Sequence, residues 1–128
     1  VNWIWIPPHL AVAWHEQLIA RFGGAEGLRD AGLLESALDR PKNHAAYQPE
    51  ADVFSLAALY EIGVAKAHAF VDGNKRIGFA VMVAFLKVHG QALDVSEAEA
   101  TRVMIDVAAS MTREDELAAW LMSHCRTE

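Results

Sequence analysis

From Asn74 to Val88 the chain reads as a helix with apolar residues around almost its whole circumference: Ile77, Phe79, Val81, Met82, Val83, Phe85 and Leu86. A helix apolar on every side must be buried on every side, so the remaining chain has to supply its walls. This requirement points to a helical bundle. The apolar run from Ile77 is broken by Lys87 and is shorter than the roughly 20 residues that cross a bilayer, so it reads as a core helix.

The punctuation on either side agrees. Pro7-Pro8 sets an extended entry to a first helix that runs to about Phe22, where Gly23-Gly24 ends it. Asp30 is placed to cap a second helix carrying Leu33, Leu34, Ala37 and Leu38, expected to end at Arg40 because proline disfavours helical geometry at its predecessor. Lys42 to Glu50 then reads as a loop. Asp52 caps a third helix from Val53 to about Ala69, Ser96 and Glu99 form a capping box for a fifth, and Thr112 is placed to cap a sixth. The alternation of Trp3 and Trp5 with Ile4 and Ile6 predicts a short extended segment packed on the helices. The expectation is an all-α, compact single-domain bundle of about six helices spanning residues 1–128, with no linker or repeat dividing it.

Composition narrows the function classes. One cysteine, Cys125, allows neither an internal disulfide nor a thiolate metal cage, and it reads as a small apolar residue. A net charge of −6 disfavours a broad nucleic-acid surface, whose affinity comes from cations neutralising phosphates, so no direct nucleic-acid partner is expected. The opening residues show no signal-peptide pattern, and a cytoplasmic protein with no membrane contact is the expectation. His15-Glu16 lacks a second histidine at position 19, which removes the zinc-protease pattern. No Walker loop or His-Arg-Asp kinase loop occurs.

Chemistry concentrates in one run, His68-Ala69-Phe70-Val71-Asp72-Gly73-Asn74-Lys75-Arg76, between the third helix and the central one. The first amides of a new helix have no partner within it, so a helix beginning near Asn74 offers donors to an anion, and Lys75 and Arg76 add charge. Asp72 supplies the hard oxygen that magnesium prefers when it also binds phosphates. His68 supplies an imidazole, the side chain most often used as a general base, and can take the proton of an attacking hydroxyl. Taken alone, Asp72-Gly73-Asn74 is an ordinary turn, and it is the surrounding residues that reverse that reading.

This run resembles the Fic-family motif His-x-Phe-x-Asp/Glu-Gly-Asn, continued as Lys-Arg in the manner of Doc (death-on-curing) toxins. Upstream, Gly23-Gly24, Gly27-Leu28-Arg29-Asp30, Gly32 to Leu38 and Pro41-Lys42-Asn43 are similar to the Doc-like signature, so the likeness covers nearly the whole chain. The resemblance implies a Fic fold and an ATP-dependent phosphotransferase that uses ATP and Mg2+. It implies His68 as general base, Asp72 as metal ligand, Gly73, Asn74, Lys75 and Arg76 as the phosphate anchor, and Phe70 packed inward to hold the loop. It further implies a toxin that modifies a Ser/Thr hydroxyl of a protein target, elongation factor Tu in Doc proteins, inhibits translation, and is neutralised by a Phd-type antitoxin.

Departures from the wider Fic pattern bear on the reaction. AMP-transferring members usually carry Gly-Arg after the asparagine and a second arginine one turn later, where this chain has Lys75-Arg76 and Phe79. Lysine in place of glycine changes space and charge at the anion site, which favours attack on the γ-phosphate over AMP transfer, the alternative reaction. Ala69 stands where proline is common, and it motivates a second alternative, a catalytically silent module that binds peptide or nucleotide. A helix-turn-helix regulator is a third reading, disfavoured by the acidic balance. No self-inhibitory Ser/Thr-x-x-x-Glu-Asn/Gly segment is found, so inhibition would come from another chain. Asn43 to Glu50 is expected to act as a flap holding the target segment.

Overall fold

A computed structural model describes residues 2–128. Among them the order is α1 (Pro8–Phe22), α2 (Ala31–Tyr47), α3 (Val53–Ala67), α4 (Asn74–Val88), β1 (Gln91–Leu93), α5 (Glu97–Ala108), α6 (Glu114–His124) and β2 (Cys125–Thr127). The fold is all-α, with a tiny antiparallel pair of strands in which Ala92 faces Arg126. No described helix is long and apolar enough to cross a membrane.

The centre is shared by α3 and α4. Against α3 lie α2, α4, α5 and α6, while α4 also meets α1, α5 and β1. Tyr60 of α3 and Ile77, Val81, Met82, Phe85 and Leu86 of α4 are wholly enclosed. The buried residues of α4 recur at helical spacing, and its remaining apolar residues, such as Phe79 and Val83, are half-buried under neighbouring elements. The N-terminal segment is extended but joins no strand. Its Trp5 ring stacks on Phe85 at 5.8 Å, and the amide of Ile6 donates to the Tyr60 hydroxyl at 3.0 Å. Cys125 is half-buried and packs on the edge of the core.

Three of the expected caps are present as hydrogen bonds. Asp30 accepts from the amide of Leu33 and Asp52 from that of Ser55, each cap contributing about 1 kcal/mol. The capping box of Ser96 and Glu99 is complete. Thr112, by contrast, does not cap α6. The helix starts one residue later, and Glu116 reaches back to accept from the amide of Arg113 at 3.0 Å.

Pro41 does not end α2, which continues through it to Tyr47. Proline inside a helix costs about 3 kcal/mol, because its missing N–H leaves a carbonyl unpaired and its ring crowds the preceding turn. The opposing term is burial: Leu34, Ala37, Leu38 and Pro41 form one stripe against the core, extended by Ala45. The carbonyl of Ala37, which a residue with an N–H at 41 would have satisfied, faces Gly63 of α3, where a Cβ would sit 3.6 Å away. The expected loop from Lys42 to Glu50 is therefore mostly helix. So is the expected flap, since Asn43 to Tyr47 belong to α2 and only residues 48–52 link it to α3.

Candidate active site

Helix α3 ends at His68, whose backbone is left-handed at φ 51° and ψ 42°. Such a geometry is unfavourable for a side chain with a Cβ and persists only where the surroundings hold it. Here they do. The guanidinium of Arg29 donates to the His68 carbonyl, and the amides of Arg29 and Asp30 both donate to the carbonyl of Ala69, at 2.7 and 2.9 Å. Phe70 pairs with Leu28 in an isolated antiparallel bridge, and the amide of Val71 donates to Gly27 at 3.0 Å. The segment from Gly27 to Asp30 thus straps the whole first half of the loop.

From inside, the loop is held by its own helix and by α1. The Asn74 carboxamide turns back on Phe70, accepting from its amide at 3.1 Å and donating to its carbonyl at 3.0 Å. Phe70 is 2% exposed, and the imidazole of His15 from α1 stacks on it with ring centres 3.8 Å apart. Nε2 of His15 lies 2.7 Å from the carbonyl oxygen of Asp72.

The Asp72 carboxylate is exposed and doubly hydrogen-bonded. Oδ1 accepts from the amide of Gly73 at 2.8 Å and Oδ2 from that of Ala25 at 3.2 Å. These two donors, the Gly73 amide foremost, hold its carboxyl below the usual carboxylate range, with smaller help from His15 and Lys75. The carboxylate is therefore ionised at neutral pH. Gly24 admits this approach, because a Cβ there would lie 2.8 Å from Oδ2.

Gly73, at φ 75°, is the N-cap of α4, and among the described residues no side chain caps that end. The first recurrent helical bond runs from the amide of Ile77 to the carbonyl of Gly73, so the amides of Asn74, Lys75 and Arg76 lack acceptors within the helix. Lys75 and Arg76 are exposed beside them, and the Arg76 guanidinium lies over the ring of Phe22 at 4.1 Å.

All of this opens into one cavity of about 620 Å³, a size typical of sites for small ligands and cofactors. His68, Asp72, Gly73, Asn74, Lys75 and Arg76 line it together; Phe70 does not, being the packed underside of the loop. Three cations, Lys66, Lys75 and Arg76, line the cavity together with a single carboxylate, Asp72. Two of the roughly four lone-pair sites on that carboxylate are taken by backbone amides. A cation bound there would have one protein carboxylate and would draw its other oxygens from phosphate and water, the coordination Mg2+ favours.

Sequence reasoning missed the far wall of the cavity, Thr101, Met104, Ile105 and Ala108 of α5, along with Lys66. Their spacing matches that of any core-facing helical stripe, so nothing in it distinguishes a cavity wall from a packed one. It also passed over His15 once the zinc pattern failed, although a histidine on the apolar face of α1 is a signal of a kind.

The Fic/DOC family model matches residues 5–86. Over 93 residues the chain is 34% identical to the protein named Protein kinase doc of Escherichia phage P1, covering 72% of this chain and 74% of that one. Over 106 residues it is 38% identical to Toxin Doc of Mycolicibacterium smegmatis, covering 78% and 79%. With the match spanning α1 to α4 and the whole loop between His68 and Arg76, the chain belongs to the Fic/DOC family.

Proposed function

We propose that this protein is a Doc-like toxin that transfers the γ-phosphate of ATP to a Ser/Thr hydroxyl of a protein target. The observation that carries this reading is the single cavity in which an imidazole, one ionised carboxylate, three cations and the open N-terminus of α4 converge. The names of the two Doc relatives, a protein kinase and a toxin, support it.

In this reading the triphosphate lies on the amides of Asn74, Lys75 and Arg76, with Lys75 and Arg76 against its oxygens. Asn74 contributes its backbone N–H, because its side chain is committed to Phe70. Asp72 would hold Mg2+, which supplies charge neutralisation at the phosphate oxygens when it is bound with the nucleotide. The target hydroxyl attacks the γ-phosphorus, the bond from that phosphorus to the bridging oxygen breaks, and ADP leaves. His68 accepts the hydroxyl proton. The rest is positioning and electrostatic stabilisation, with no covalent enzyme intermediate.

The target in this proposal is elongation factor Tu, so that transfer halts translation, and a Phd-type antitoxin is the neutralising partner. The test is incubation with elongation factor Tu and ATP labelled at the γ or the α phosphate. Label from the γ position on the factor supports phosphorylation. Label from the α position alone would establish AMP transfer in its place, and label from neither would refute the choice of target.

A further inference from the structure

One side chain packed against this loop comes from a different helix, α1. His15 is 2% exposed, lies flat against Phe70, and points Nε2 at the Asp72 carbonyl oxygen. A carbonyl oxygen only accepts, so Nε2 carries the proton and donates. The same peptide unit is fixed at its other end, where the Gly73 N–H donates to Asp72 Oδ1. The Asp72–Gly73 peptide is thus clamped from both sides, by an imidazole below and by its own carboxylate above.

That clamp sits where the backbone is most able to turn. Gly73, at φ 75°, has no Cβ to resist rotation of the preceding peptide, and a Cβ there would come within 3.4 Å of His15 Nε2. A flipped peptide would withdraw the Gly73 N–H from the carboxylate and bring a carbonyl oxygen toward it, displacing the metal-binding group. On its other side His15 lines a second cavity of about 300 Å³ with Ile19, Leu28 and Phe70.

Building on the phosphotransfer reading above, we infer that His15 is a positioning residue for the reaction: its Nε2–H locks the Asp72–Gly73 peptide and so orients the Asp72 carboxylate toward the nucleotide's metal. The ring and the donor make separable contributions. His15→Phe keeps the stack on Phe70 and removes the donor. His15→Gln keeps a donor near the position of Nε2 and loses the stack.

The test measures transfer kinetics and the exchange rate of the Gly73 amide proton in the full chain. His15→Phe should lower kcat by about 100-fold, the scale of loss from a small misplacement of reacting groups. KM for the protein target should stay within about twofold, the half-saturating Mg2+ concentration should rise about tenfold, and His15→Gln should restore most of kcat. A kcat for His15→Phe within about threefold of the unsubstituted chain overturns the inference. So does a His15→Gln variant as impaired as His15→Phe, which is what a purely structural role predicts. If His15→Phe fails to fold, His15→Gln and His15→Asn replace it: Gln reaches the Nε2 position and Asn does not, so only Gln should be active, and equal activity overturns the inference. If the unsubstituted chain transfers no phosphoryl group, the function proposed above fails, and amide exchange still decides this point. Gly73 should exchange at least about tenfold faster in His15→Phe and not in His15→Gln; equal rates in all three proteins overturn the inference.

Discussion

The Asn74 carboxamide binds both polar groups of Phe70, donating to the carbonyl at 3.0 Å and accepting from the amide at 3.1 Å. A side chain at the start of α4 thereby acts as a rung that closes the turn ahead of it. Two hydrogen bonds of this kind contribute about 2 kcal/mol together. Asn74→Ala should lower the urea unfolding free energy by about that amount and reduce transfer by far more than ATP binding. Asn74→Asp keeps the shape but sets a carboxylate against the Phe70 carbonyl, and it should be at least as inactive. A variant at 74 with normal stability would show that the rung is not needed.

Arg76 stands over Phe22, the last residue of α1, at 4.1 Å from the ring centre, and Phe22 is half exposed. An exposed cation–π contact contributes about 0.5–1 kcal/mol. Phe22→Ala should therefore raise KM for ATP about two- to fivefold with kcat nearly unchanged, and Phe22→Tyr should behave as the unsubstituted chain. Isothermal titration with a non-hydrolysable ATP analogue checks the same point without turnover. Unchanged affinity in Phe22→Ala would mean that Arg76 needs no platform.

Glu61 of α3 is wholly buried against Gly78 of α4, and neither carboxyl oxygen has a hydrogen-bond partner among the described residues. Burial pushes its carboxyl well above the ordinary value of 4.5. The folded chain holds a proton there that the unfolded chain releases above about pH 4.5. The sign follows: stability from this group is fullest below pH 4.5 and falls as pH rises toward the folded value, by up to about 1.4 kcal/mol per pH unit. Urea unfolding at pH 5.5 and 7.5 should show Glu61→Leu gaining more at the higher pH, with about 1–3 kcal/mol from removing unpaired polar atoms. Equal gains at both values would mean that Glu61 does not change protonation on folding in this range.

The helices were legible where local chemistry decides them. Asp30, Asp52 and the Ser96–Glu99 pair mark starts because a side-chain oxygen satisfies amides only a few residues away. Pro41 misled because its local cost is real and is overridden by burial against α3, which no window of sequence contains. The strands escaped notice for a related reason, since Gln91–Leu93 and Cys125–Thr127 are short and their pairing spans the whole of α5 and α6. The run from His68 to Arg76 stood out as a candidate site because its residues are contiguous and chemically unusual. Its supports were not: His15, Ala25, Gly27 and Arg29 reach it from far back in the chain, and only the folded geometry brings them under and beside the loop.

In the proposed reaction His68 removes the proton of an attacking hydroxyl at the phosphate site. The most direct test of this role is γ-phosphate transfer to elongation factor Tu by the unsubstituted chain and by His68→Ala, with ATP affinity measured on both. His68→Ala should lose transfer by about 100- to 10,000-fold, the usual share of a general base, while its ATP affinity stays within about threefold. Transfer by His68→Ala at the rate of the unsubstituted chain would contradict that role.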